Sequence, residues 1–259
     1  IKANMGGSIR VNGDTPVPPW YFPAIHDYFK DIFKCALDDA SKNVVACWYR
    51  RRMVPDNGLR NHEKTGKEFA AYALERGVHF PQGHLWLTVD ICAENQAEVI
   101  DDLKRWLDLY LATGVKAGVL HPGGNQMRRQ QQSPAAVLDT QTQALGQLCT
   151  HLQGTDFTLC LENVPGTPEV EQLLSIIKAV DSPRLGICLD TGHLNMAGGD
   201  QGHFLRQAGD RLKAMHLADN EGKTDQHMMP FGRGNVDWSA VIGGLKALRY
   251  EGLLNLEIP

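Results

Sequence analysis

Phe157-Thr-Leu-Cys-Leu-Glu162 and Leu185-Gly-Ile-Cys-Leu-Asp190 share one design, a short apolar run of strand length that ends on a carboxylate. Runs of this kind fit strands buried on both faces, as in a parallel sheet. Outward from them the same unit repeats, a helix-period segment followed by an apolar run. Residues 68–76 precede 78–85, residues 96–112 precede 115–121, and residues 135–152 lead into 158–162. Further on, 170–180 leads into 185–190, 204–208 into 212–217, and 238–248 into 253–257. Six βα units in succession predict an α/β fold, and 259 residues is the length of one (β/α)8 TIM barrel, commonly about 250 residues.

The six runs are read as strands three to eight. Residues 43–49 (NVVACWY) are expected as the second strand, after a helix over 25–40, and residues 1–4 as the first. The Gly- and Pro-containing stretch 6–19 reads as loop. The chain stops at Pro259, so the expectation is a single TIM-barrel domain over 1–259 lacking the last helix, its seam leaning on N-terminal residues or a partner subunit. Neither an internal repeat nor a long linker is visible.

Composition narrows the function classes. A net charge of -4 and a pI near 6.2 disfavour a protein whose affinity comes from neutralising many phosphates. No apolar run approaches the roughly 20 residues of a membrane span, so no membrane role is expected. Residues 1–10 lack the pattern of a secretory signal, although the chain does not begin with Met. Six cysteines without a CxxC pair, two of them (Cys160 and Cys188) inside apolar runs, read as buried thiols of a reducing, cytoplasmic compartment.

The metal-capable side chains concentrate at strand ends, where barrel active sites are built. His84, His121, Glu162, Asp190, His216 and Glu257 end or follow strands three to eight in turn. Burying unpaired carboxylates there is costly, and a divalent cation reverses that balance. The mixed O/N donor set of Glu162, Asp190, His216 and Glu257 suits Mn²⁺, Zn²⁺, Mg²⁺ or Co²⁺ without choosing among them. Trp86, two residues after His84, is placed on the same rim, and Trp238 either lines a sugar pocket or packs in the core. His26, His62, His79, His151 and His203 read as structural or solvent-exposed, and Gly232-Arg233-Gly234 as the turn before Trp238.

LENVPGT (161–167), LDTGH (189–193), MHLADN (215–220) and NLEIP (255–259) together resemble the xylose-isomerase-like TIM-barrel superfamily, over roughly residues 78–259. That superfamily holds sugar and sugar-phosphate isomerases and epimerases and the endonuclease IV abasic-site nucleases. Its epimerase branch implies metal ligands at Glu162, Asp190, His216 and Glu257. The two glutamates would be the acid/base pair, removing a proton beside a carbonyl to give an enediolate whose charge the cation offsets. His193, His84 and Trp86 would meet the substrate, a small-molecule sugar or sugar phosphate, and the chain would form a homo-oligomer.

HPGG (121–124), KTDQH (223–227) and GRGNV (232–236) resemble the endonuclease IV branch instead. There His84, His121, Glu162, Asp190, His193, His216, Asp225, His227 and Glu257 would correspond to a trinuclear zinc site. Such a site would make the chain a metal-dependent phosphodiesterase. The basic surface a DNA nuclease needs is represented only by Arg50–Arg52 and Arg128–Arg129, so nucleic acid is the less favoured partner and sugar chemistry the first reading. A sugar-binding barrel without turnover is the third.

Overall fold

The alternating pattern comes out as seven parallel strands with helices between them in a computed structural model, which describes residues 2–5, 62–75, 79–85, 89–165 and 170–258. The strands are β1 (Lys2–Met5), β2 (His79–His84), β3 (Ala117–Leu120), β4 (Thr158–Glu162), β5 (Leu185–Asp190), β6 (Leu212–Leu217) and β7 (Asn255–Leu256). The helices are α1 (His62–Leu74), α2 (Gln96–Thr113), α3 (Asn125–Arg129), α4 (Pro134–His151), α5 (Val170–Val180), α6 (Thr191–Met196), α7 (Gln201–Ala208) and α8 (Trp238–Leu248). The strands pair in chain order from β1 to β7.

Five of these elements, β4, β5, β6, α5 and α8, have the bounds read from the sequence, and the other expected ones shift by a few residues. The differences have local causes. Two short helices, α3 and α6, were not expected, because five and six residues are too few to show a 3.6-residue period. The last strand is shorter than residues 253–257, so Glu257 sits just beyond it. At the other edge Lys2 is in register with His79, which puts the expected first strand directly beside the expected third. The expected second strand (43–49), its helix (25–40), Arg50–Arg52 and Trp86 lie outside the described residues.

One hydrogen bond shows how the sheet curls. Gln82 on β2 donates through Nε2 to the Met215 carbonyl on β6 at 3.2 Å. In a flat sheet those strands would lie four spacings apart, about 19 Å. The sheet is therefore rolled, with its C-terminal strand ends gathered around one mouth. Its inner layer beneath that mouth is built of small residues, Val119, Cys160, Cys188 and Ala214, all fully buried.

The helices pack outside through apolar faces. On α5, Val170, Leu173, Ile176 and Ile177 are buried at helical spacing, each contributing about 1.5–3 kcal/mol of burial free energy. Caps fix where the helices begin. Ser133, with Pro134 at the first helical position, accepts from Ala136 N (3.2 Å), and Asp237 accepts from Ala240 N (2.9 Å). Cys92, Cys149, Cys160 and Cys188 are all buried free thiols, as the sequence implies. No helix among the described residues is long and apolar enough to cross a membrane.

Candidate metal centre at the mouth of the sheet

Glu162 ends β4, Asp190 ends β5, His216 is the penultimate residue of β6 and Glu257 follows β7. Adjacent ladders hold them in register, with Asp190 beside His216 and Glu162 beside Cys188. One donor atom from each of the four lies within 4.8 Å of all the others. His216 is the hub: its Nδ1 is 3.0 Å from Glu162 Oε1 and 2.9 Å from Glu257 Oε2. Asp190 and His216 are fully buried and Glu162 nearly so.

A second group shares Glu162. His84 Nε2 is 3.0 Å and His121 Nε2 3.3 Å from its Oε2, and these three also form a set close enough to hold a cation. A third gathers on Asp225 Oδ2, with His227 Nε2 at 2.9 Å and His193 Nε2 at 3.5 Å. His193 joins the groups, its Nδ1 lying 3.5 Å from Glu162 Oε1 and 3.7 Å from Asp190 Oδ2. All nine metal-capable residues predicted from sequence thus meet at one mouth. Of the histidines set aside, His151 pairs with Asp108 and His203 with Glu171, both away from it.

Backbone carbonyls set the imidazole tautomers. Nδ1 of His84 bonds to the Leu85 carbonyl (2.7 Å), Nδ1 of His193 to that of Asn163 (3.0 Å), and Nδ1 of His227 to that of Glu257 (2.7 Å). A carbonyl only accepts, so each Nδ1 carries the proton and a neutral ring turns its Nε2 lone pair toward a carboxylate oxygen. Lone pair facing lone pair is unfavourable unless a proton or a cation lies between them. Such carbonyl-oriented imidazoles are the usual outer support of metal-ligating histidine.

The electrostatics agree. Burial opposes ionisation of Glu162, yet the His216 imidazole and hydrogen bonds from His121, His216 and His84 hold its carboxyl well below the usual range. Burial also opposes protonation of His216, but Glu257 and Glu162 on either side raise it well above an ordinary imidazole. His193 is raised to about 10, the Asp190 charge and the hydrogen bond to Asp225 overriding burial. Burial pushes the Asp190 carboxyl up, with the His193 imidazole opposing and the Glu257 and Glu162 charges reinforcing the rise. The mouth is a well of negative charge that draws in positive charge. Two buried atoms in it, Asp190 Oδ2 and His216 Nε2, have no hydrogen-bond partner among the described residues. Buried polar atoms are seldom left so, and the residues present fit a bound divalent cation.

Two residues that sequence reading passed over organise this mouth. Asn163, inside the LENVPGT motif, bridges β4 and β5 by donating to the Asp190 carbonyl (2.9 Å) and accepting from Asp190 N (2.8 Å). Asp219, inside MHLADN, accepts from Asn220 N (2.9 Å), Val236 N (3.1 Å) and Trp238 Nε1 (3.0 Å), closing the loop that delivers Asp225 and His227. A side chain at Gly234 would collide with this carboxylate. The signal in both was a polar residue directly behind a ligand-bearing strand end. Trp238 therefore anchors a loop while packing against the core.

A rolled parallel α/β sheet with carboxylates and imidazoles converging at its C-terminal mouth is the arrangement of the α/β-barrel class. Within that class, the chain belongs to the xylose isomerase-like TIM barrel family, whose model matches residues 44–259. A probable endonuclease 4 of Mycoplasma pneumoniae is 34% identical over 116 residues, 40% of this chain and 37% of that one. A D-psicose 3-epimerase of Enterocloster bolteae is 28% identical over 87 residues, 34% of this chain and 27% of that one. The matches to these two curated relatives span well under half of either. The crystal structure of a D-tagatose 3-epimerase-like protein superposes with a TM-score of 0.66 at 22% identity, over 76% of this chain and 77% of that one, which shows the shared fold.

Proposed function

We propose that this chain is a divalent-cation-dependent isomerase or epimerase of a small sugar or sugar phosphate, acting as one barrel domain over residues 1–259 within a homo-oligomer. The observation that carries the reading is the four-residue cage of Glu162, Asp190, His216 and Glu257, with unpartnered Asp190 Oδ2 and His216 Nε2 inside it. These four would hold Mn²⁺, Zn²⁺, Mg²⁺ or Co²⁺, whose charge offsets the negative charge that develops on substrate oxygens when a C–H proton leaves. The partial match to a D-psicose 3-epimerase supports the sugar class.

Glu162 and Glu257 both approach His216 Nδ1, so their carboxylates face one another across the mouth. One takes the proton from the carbon beside the carbonyl and the other holds or returns it, the exchange that epimerisation and isomerisation share. His193, with its proton on Nδ1 fixed by Asn163, keeps Nε2 for a substrate oxygen or for Asp225. His84, and Trp86 two residues after it in the chain, would complete the substrate's surroundings.

The test is solvent-deuterium incorporation into a panel of ketoses and ketose phosphates by metal-loaded protein. Deuterium is expected at the carbon beside the carbonyl, falling by about 10²–10⁴ in rate in Glu162→Gln and in Glu257→Gln. Exchange in no member of the panel removes the reading. Phosphodiester hydrolysis is the second reading, favoured by the His84–His121–Glu162 group, the His193–Asp225–His227 group and the endonuclease 4 match. Two or three zinc ions per chain together with cleavage of abasic-site DNA would put it first.

A further inference from the structure

His121 directly follows β3 and opens the turn His121-Pro122-Gly123-Gly124 between β3 and α3. Both glycines adopt the left-handed conformation (φ 66° and 84°), so this turn has no regular backbone ladder to hold its shape. Side chains from three other places hold it instead. Asp90, in the segment between β2 and α2, accepts through Oδ1 from Gly124 N (2.8 Å) and Cys92 N (2.9 Å). Gln141 on α4, only 2% exposed, donates to the carbonyls of Pro122 (2.9 Å) and Gly123 (3.3 Å). Arg128 on α3 donates to the Gly123 carbonyl at 3.0 Å. A Cβ on Gly123 would stand 2.6 Å from Asp90 Oδ1, so the turn is shaped to admit that carboxylate.

A nearly buried amide on the inner face of a helix and an acceptor carboxylate both converge on one four-residue turn, whose only side chain with acid–base or ligand chemistry is His121. We propose that Asp90 and Gln141 are positioning residues, clamping this turn so that His121 Nε2 is aimed at Glu162 Oε2 and fixes that carboxylate for cation binding. The inference rests on the cation reading of the cage. It goes beyond that reading in assigning a function to two residues that touch neither cation nor substrate. Outer residues that orient metal ligands typically carry about 10–100-fold of metal affinity, which is the size of effect expected here.

The experiment is a cobalt(II) titration of the full chain followed by visible absorption, with thermal midpoints recorded alongside. His121→Ala and Asp90→Ala are each expected to weaken cobalt uptake by at least about tenfold. Asp90→Asn, which keeps an acceptor oxygen for the two N–H groups, is expected to stay close to the unaltered chain. If Asp90 acts through His121, the double variant Asp90→Ala/His121→Ala loses no more affinity than His121→Ala alone. Losses that add, or unaltered affinity in Asp90→Ala, overturn the clamp while leaving the cage intact. An unaltered chain that takes up no cobalt removes the cage reading and the clamp with it. Should Asp90→Ala fail to fold, Gln141→Leu, similar in volume and set on the same buried helix face, takes its place in the cycle.

Discussion

The chain contains the four-residue pattern Asp-x-Gly-His twice, at 190–193 and at 200–203, and uses it for one local purpose in both places. Asp190 caps α6 and Asp200 caps α7 from nearly the same backbone conformation (φ -92°, ψ 116° and φ -85°, ψ 114°). Each Oδ1 accepts from the backbone N–H of the histidine three residues on, at 2.7 Å. The surroundings then diverge. Asp190 is fully buried at the end of β5, its second oxygen free of hydrogen bonds, and His193 faces two more carboxylates. Asp200 is exposed on the outside, where His203 pairs with Glu171 across the surface. Local motif geometry sets a helix start; the strand beneath it decides whether the atoms left over face water or one another.

The largest expected effect separates the two copies by cation affinity. Asp190→Asn keeps an oxygen to cap α6 but removes a charge from the cage, so affinity for Mn²⁺ or Co²⁺ should fall by at least about 100-fold, the upper end of what outer-shell changes cost. Asp200→Ala should leave it unchanged. Isothermal titration of the two variants checks this, and equal losses would break the contrast. Because the folded carboxyl of Asp190 is pushed up, its ionised form costs stability above the unfolded value, and Asp190→Asn should not lower the thermal midpoint of metal-free protein at neutral pH.

A third aspartate tells burial apart from unmet bonding. Asp219 is as buried as Glu162, but both of its oxygens are engaged by the loop it organises. In Asp219→Asn one oxygen becomes an NH₂ group, which leaves a donor facing the N–H of its former partner. The expected cost is about 1–3 kcal/mol, read by denaturant unfolding. A variant as stable as the unaltered chain would show that a buried carboxylate at this mouth is dispensable even where it is satisfied, and the distinction between Asp190 and Asp219 would lose its meaning.

Much of this was legible in the residues because the governing patterns are short in range. Apolar runs such as 185–190 fix a strand through their own composition, and a carboxylate at the end of each marks the mouth. Asp225 and His227 lie on no strand, and only their likeness to a family pattern brought them forward; their approach to His193 depends on Asp219 closing a loop from residues 17 and 19 positions away. Asn163 and Gln141 were invisible for the same reason. Their partners, the Asp190 backbone and the carbonyls of Pro122 and Gly123, are backbone atoms that every residue type offers, so no choice of residue announces the contact. The first strand, expected at residues 1–4, lies at Lys2–Met5, but four residues are too few to announce which strand it pairs with in space.

The smallest effect belongs to the outer copy and tests whether it is a cap and nothing more. The His203 backbone N–H holds the Asp200 carboxyl below its usual range, so the folded state binds this proton less readily than the unfolded chain. The stabilisation is therefore present above the unfolded value, about 3.9, and is lost as pH falls through the folded one. Thermal midpoints of the unaltered chain and Asp200→Ala should differ slightly at pH 6, with the variant lower, and converge as the pH is taken below the ordinary aspartate range. A difference that persists in acid would mean that Asp200 contributes through the cap hydrogen bond its neutral carboxyl still accepts, not through its charge.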